Sequence, residues 1–174
     1  MDFKKIKMLI SDVDGVWTDG SFYKGTDNIE LKKFSVHDGV GVAMARAAKI
    51  KVALISGRYS SATEYRAKEL GIEDVYNGSL NKLPAYEELK SKYELNDSNM
   101  AYIGDDLIDL PVMDIVALPI AVSNATSDVK RIAAHITELS GGEGAFREAI
   151  SWIISEQGRT KEVIQIMRER ILNS

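Results

Sequence analysis

The chain predicts an α/β fold, a parallel sheet covered by helices on both faces. Three observations predict it. Short apolar runs alternate with amphipathic stretches along most of the chain. The apolar runs are continuous rather than alternating, as in strands buried on both faces. Several runs end in carboxylate, hydroxyl or glycine residues, at the strand ends where open α/β sheets bind ligands. The 174 residues suffice for one domain, 1–174, with a sizeable core.

Residues 5–13 read as the first strand, with Met8, Leu9, Ile10 and Val13 apolar. Residues 21–36 place Phe22, Ile29, Leu31 and Phe34 on two extended runs around a turn at 25–28, which predicts a projecting β-hairpin. From 38 to 49 the spacing becomes helical, with Val42, Ala45 and Ala48 on one stripe. Residues 51–55 form the second core strand. Ser60 or Ser61 caps the next helix, and Gly71 ends it. A short strand at 74–76, a helix at 82–93 and a strand at 99–103 follow. Beyond them come a helix at 107–115, a strand at 118–122, a helix at 127–134 and a short strand at 135–137. Ala145 to Glu156 is helical, with apolar positions 146, 149, 150 and 153. Gly158 interrupts it, and a charged amphipathic tail, 158–174, follows.

Composition narrows the function. Hydrophobic residues are 45% and charged residues 28%, ordinary for a soluble globular chain. The net charge of -4 gives no support for nucleic-acid or membrane binding. Without cysteine there is no thiol nucleophile, zinc–thiolate site or disulfide frame. The first apolar run is too short for a signal peptide, and no run reaches membrane length, so a cytoplasmic location is expected.

The chemistry concentrates in residues 7–20, KMLISDVDGVWTDG. Asp12 and Asp14 stand two apart on an extended chain and so face one side. Adjacent carboxylates repel unless a cation or proton lies between them. A Mg²⁺ site, a nucleophile and a general acid are expected together. Ser56 ends the second strand, where its hydroxyl and neighbouring N–H groups suit phosphoryl oxygens. Arg58 offers a bidentate fork. Lys82 opens a helix and suits a phosphoryl charge. Asp105, Asp106 and Asp109 follow the fourth core strand, and Asp105 suits a metal's oxygen shell. Each alone has a plain structural reading: a loop, a helix start, a solvated lysine, an N-cap. Together, in this order at strand ends, they point to phosphoryl transfer.

These residues resemble the four motifs of the haloacid dehalogenase superfamily: Asp12-Val13-Asp14-Gly15, Ser56, Lys82 and Gly104-Asp105-Asp106. The resemblance spans the chain. It narrows in residues 14–20, 36–39, 101–109 and 141–148 to the cap-less branch that contains the 3-deoxy-D-manno-octulosonate 8-phosphate phosphatases. It implies a three-layer Rossmann-like core with a projecting hairpin and no cap domain. It also implies that Asp12 attacks phosphorus to form a phosphoaspartate and that Asp14 moves the proton. Mg²⁺ would be held by Asp12, the Asp14 backbone carbonyl and Asp105, with Ser56 and Lys82 clamping the transferred group. An acid/base at Asp14 separates phosphatases from the superfamily's P-type ATPases, which carry Thr there. In the resembled branch the hairpins assemble a homotetramer, and a neighbour's hairpin and tail cover the site. Phe22, Tyr23, Ile29 and Leu31 would otherwise leave an apolar patch. A hairpin folded back on its own core is the alternative, as is a tail packed on its own subunit through Val163, Ile164, Met167 and Ile171.

By resemblance the substrate is a small sugar-acid phosphate meeting Asp14, Ser35, Val36, His37, Asp38, Gly39, Arg58, Arg66 and Lys82. Arg58 and Arg66 agree with octulosonate 8-phosphate. His37 and Ala43, where that pattern carries Arg, and Glu143 depart from it and keep a nonulosonate 9-phosphate open. Two other classes stay in view. A silent oligomerisation module predicts a lost nucleophile or acid, yet Asp12 and Asp14 are both present. A flavodoxin-like receiver domain predicts about 120 residues, without Asp14 or the hairpin.

Overall fold

The computed structural model describes residues 2–27 and 29–173. Six parallel strands form the sheet: β1 (Met8–Ser11), β4 (Lys51–Ser56), β5 (Asp74–Asn77), β6 (Met100–Gly104), β7 (Leu118–Ala121) and β8 (His135–Ile136). Their order is β5-β4-β1-β6-β7-β8. The hairpin pairs β2 (Tyr23–Lys24) with β3 (Glu30–Leu31), Tyr23 opposite Leu31. The helices are α1 (Val36–Ala47), α2 (Ser61–Glu69), α3 (Leu83–Tyr93), α4 (Leu110–Met113), α5 (Ser127–Ile132), α6 (Ala145–Glu156) and α7 (Thr160–Leu172). α1, α6 and α7 pack together, as do α3 and α4. The right-handed crossover rule, with the strand order running outward from β1 in both directions, puts the two groups on opposite faces.

The expected three-layer α/β architecture is present, with β1 central and buried on both faces. Met8, Leu9 and Ile10 have no exposed surface. Met8 pairs with Lys51 on one side and Met100 on the other. The chain runs outward through β4 and β5 and then returns to β6, so the direction reverses between β1 and β6. Open sheets bind their ligands at that reversal. Among the described residues, only the hairpin and α1 separate Asp14 from Ser56, and only α2 and β5 separate Ser56 from Lys82. No cap domain is inserted there.

Several boundaries differ from the sequence reading. The first strand spans four residues because Phe3–Lys5 forms a 3-10 turn capped by Asp2. The first helix starts at Val36 rather than 38, because Ser35 accepts the His37 N–H through its hydroxyl and caps it. Ser60 occupies the N-cap of α2, but its hydroxyl donates to Glu30 Oε1 (2.7 Å) instead of capping. The stretch expected as a helix at 107–115 divides into a 3-10 turn, Leu107–Asp109, and the single turn α4, which Pro111 opens. Asn28 of the expected turn lies outside the described residues. Phe22, Tyr23, Ile29 and Leu31 are all exposed, so the hairpin tip does not fold back on its own core. The tail packs on its own subunit through part of its apolar face. Val163 is buried, Met167 lies against the core, and Arg159 Nη1 donates to Ala48 O (2.7 Å), whereas Ile164 and Ile171 are exposed.

Candidate active site

Asp12 follows β1 directly, and its N–H still donates to Ile103 O (3.0 Å), continuing the ladder with β6. The strand character stops there. Val16, Trp17 and Thr18 all donate N–H groups to Val13 O, so Asp14 sits in a tight turn. The two carboxylates share one cleft because of this turn, not because of strand periodicity. Trp17 anchors the turn: its Nε1 donates to Ser11 Oγ (3.0 Å), and its ring packs on Phe146 with centroids 4.5 Å apart. Gly15 has φ +93°, and a Cβ there would overlap the Asp105 carboxylate. Only glycine allows Asp105 to come this close.

The cleft has a volume of about 340 Å³ and is lined by Asp12, Asp14, Ser56, Arg58, Asp105 and Asp106, among others. A wider cleft of about 670 Å³ lies at the N-terminal ends of the strands, beside Lys7, Ile50 and Lys51. Size does not select the site; converging carboxylates at strand C-termini do.

Lys82 lies buried beneath this cleft. Its Nζ is 2.8 Å from Asp12 Oδ1 and 2.7 Å from Asp109 Oδ1, and it donates to Tyr102 OH (3.0 Å). Burial alone would lower its pKa; Asp12 and Asp109 overcome this and raise it, so the ammonium stays charged. Burial, with Asp109 beside it, pushes Asp12 up to about 6 despite Lys82. Burial, with Asp12 and Asp109 nearby, pushes Asp105 up to about 8.

Carboxylate oxygens of Asp12, Asp105 and Asp109 lie within 4.8 Å of one another. Asp109 is already saturated. Its Oδ1 accepts from Tyr102 OH (2.6 Å) and Lys82, and its Oδ2 accepts the N–H groups of Asp105 (2.9 Å) and Asp106 (3.2 Å). Asp109 therefore sets the loop and Lys82, while Asp12 and Asp105 are the donors left for a cation. Burial first, and neighbouring carboxyls second, disfavour their charged forms, and a divalent ion would offset both, so the residues fit such an ion.

On the other side of the cleft, Asp14 Oδ1 is 2.7 Å from Lys32 Nζ, and its Oδ2 is 3.9 Å from Arg58 Nε. Arg58 is clamped by both oxygens of Glu30, at 2.7 and 3.1 Å. The Arg58 hydrogen bonds hold Glu30 down at about 2. Ser56 is buried, and its hydroxyl donates to Arg58 O (2.8 Å).

The remaining candidates stand outside these lining residues. Ser35 caps α1, Val36 is exposed, and Asp38 is buried, accepting the Arg147 N–H (3.1 Å). His37 Nδ1 lies 3.2 Å from Arg147 Nη1. Gly39 packs beside Arg66 and Leu70. Arg66 turns to Glu69 (2.7 Å) and Ser35 O (3.3 Å). Glu30, Lys32 and Tyr102 carry no functional signal in the sequence on their own, and Asp109 only its place after the fourth core strand. The available signal was the pair Glu30 and Lys32, two charged residues at strand spacing on either side of Leu31.

Residues 53–147 match the family of haloacid dehalogenase-like hydrolases. The chain is 43% identical over 159 residues to the 3-deoxy-D-manno-octulosonate 8-phosphate phosphatase of Escherichia coli K12, covering 91% of this chain and 85% of that protein. The crystal structure of the Yersinia pestis octulosonate phosphatase is similar, with TM-score 0.89 and 42% identity, covering 91% of this chain and 86% of that one. The enzyme of the same name from Moraxella catarrhalis, solved with magnesium ion, phosphate ion and KDO, has TM-score 0.90 and 36% identity, covering 95% of each chain. With the four motif positions placed around one cleft at the sheet reversal, the chain belongs to the haloacid dehalogenase-like hydrolases, in their cap-less phosphatase branch.

Proposed function

We propose that this phosphatase is a Mg²⁺-dependent phosphomonoesterase that converts 3-deoxy-D-manno-octulosonate 8-phosphate to the free sugar acid and phosphate through a phosphoaspartate on Asp12. The observation that carries the reading is Asp12, buried, gripped by Lys82 and facing Asp105 across the cleft. Asp12 Oδ attacks phosphorus in line as the P–O bond to the sugar breaks. Asp14 gives its proton to the departing alkoxide. It then takes a proton from the water that cleaves the aspartyl phosphate, returning Asp12 and releasing phosphate. Lys82, held charged by Asp109, offsets the charge on Asp12 and the phosphoryl group. Ser56 and its neighbouring N–H groups hold phosphoryl oxygens, and Arg58 faces the sugar. Asp12, the Asp14 carbonyl and Asp105 would hold Mg²⁺, which when bound screens the repulsion between nucleophile and phosphate.

Arg147 and Arg66 flank the start of α1, where their guanidinium groups suit the sugar's carboxylate. The guanidinium of Arg147 beside His37 supports the octulosonate reading although position 37 is not Arg. A second reading, a nonulosonate 9-phosphate, rests on His37, Ala43 and Glu143. The exposed hairpin tip supports a homotetramer, and the sequence supports a cytoplasmic location. Phosphate release from octulosonate 8-phosphate, nononate 9-phosphate and neuraminate 9-phosphate, with and without Mg²⁺, tests the proposal. Octulosonate 8-phosphate should give the highest kcat/KM, and chelation should abolish turnover. Faster turnover of a 9-phosphate would overturn the substrate, and full activity in chelator would overturn the metal.

A further inference from the structure

The hairpin strand sends two charged side chains into the active site, and neither is among the motif residues. Glu30 and Lys32 are two apart on extended chain and so share a face. The Lys32 side chain has no exposed surface, and that of Glu30 is 9% exposed. A buried ammonium is costly unless paired and hydrogen-bonded. Lys32 has both: Asp14 Oδ1 at 2.7 Å and Thr63 Oγ1 of α2 at 3.2 Å. The Asp14 side chain is 26% exposed, yet its Oδ1 is fully buried and is met by the Lys32 ammonium as an ion pair rather than a hydrogen bond. The open part of this carboxyl therefore lies on the Oδ2 side, toward the cleft and Arg58. Glu30 holds Arg58 from the opposite direction and accepts from Ser60 of the α2 N-cap.

We infer that Lys32 is a positioning residue for the proton transfer: by pinning Oδ1 it fixes the Asp14 carboxyl so that Oδ2 is the oxygen aimed at the leaving group. The inference rests on the proposed acid/base role of Asp14. On this account the hairpin builds the site from its own subunit, in addition to any contact its tip makes. Misplacing a reacting group by about 1 Å costs about 100-fold in rate, whereas ground-state binding does not need that alignment.

The test compares Lys32→Met, Lys32→Arg, Asp14→Asn and the double variant Asp14→Asn/Lys32→Met. The sugar-acid phosphate that the protein turns over fastest is used beside p-nitrophenyl phosphate. For the sugar phosphate, Lys32→Met should lower kcat about 10- to 100-fold and change KM less than about threefold. Lys32→Arg, which keeps a donor and charge, should recover at least about fivefold of that loss. The nitrophenolate burst in single-turnover experiments should slow less than about threefold, since this leaving group needs little protonation. The double variant should be no more than about threefold slower than Asp14→Asn alone, because the two residues act as one unit. Multiplicative losses, equal losses for both leaving groups, or a kcat unchanged in Lys32→Met would overturn the assignment. Should Lys32→Met not fold, Thr63→Val removes only the hydroxyl beside Lys32. It should lower kcat for the sugar phosphate several-fold at constant KM, and an unchanged kcat overturns the assignment equally. If Asp14→Asn itself keeps normal turnover, the acid/base role falls and Lys32's with it. A slow Asp14→Asn beside a normal Lys32→Met removes the positioning role alone.

Discussion

At the scale of single residues, the cleft works by unequal treatment of its carboxyls. Asp12 and Asp109 share one lysine, but Asp109 also has three further donors while Asp12 faces the Asp105 carboxyl. Asp12→Asn keeps the shape and removes the anion, so phosphate release should fall about 1000-fold or more. Retention of a tenth of the activity would remove Asp12 as nucleophile. Asp38 poses a different problem. It is fully buried at the start of α1, its Oδ2 has no hydrogen-bond partner among the described residues, and burial pushes it up to about 6 from 3.8. The Arg147 and Phe146 N–H groups, His37 and Arg66 offset this only in part. The folded protein thus holds this proton more tightly than the unfolded chain. Its contribution favours folding below about pH 4 and is lost as pH rises through about 6, on the order of 1–3 kcal/mol in all. Asp38→Asn should flatten the melting temperature between pH 4 and 6. An unchanged slope would show that this carboxyl does not titrate there. Asp12, Ser56 and Asp105 were legible in the sequence because each stands at or just after a strand end. Asp38 was legible only as part of a segment, since its burial depends on α6 crossing the start of α1.

At the scale of elements, α7 and the hairpin divide the surface features that one sequence pattern left ambiguous. Both carry apolar residues on otherwise polar stretches. α7 turns Val163 into the core, and its N-cap Arg159 ties to the end of α1, so it packs at home. Truncation after Gln157 exposes that face, and the melting temperature should fall by about 5 °C or more. KM for the sugar phosphate and turnover of p-nitrophenyl phosphate should then change alike. A several-fold change in KM alone, in a tetramer of normal stability, would instead place the tail in substrate closure. The hairpin behaves oppositely: its base is fastened by Glu30 and Lys32, and its tip keeps four large apolar residues in solvent.

At the scale of the whole molecule, that tip is the reason to expect assembly. A contiguous apolar patch is rare on a lasting monomer. The protein should sediment as a tetramer, and Tyr23→Ser with Leu31→Ser should shift it toward smaller species while p-nitrophenyl phosphate turnover continues. A tetramer that survives both changes would place the interface elsewhere.

The sequence by itself determined the α/β class and brought Asp12, Asp14, Ser56 and Asp105 forward as residues that line one cleft. Strand burial writes a continuous apolar run, and the residue after such a run lands at the sheet's C-terminal edge. It did not determine how Asp14 reaches the cleft, which depends on the tight turn that Trp17 and Gly15 permit. Nor did it reveal that Asp109 is the hub that holds Lys82, or that Lys32 grips Asp14 across 18 positions of chain. Those partners meet only after β1, β6 and the hairpin are assembled, because a buried charge is paired by whatever the tertiary fold brings within reach.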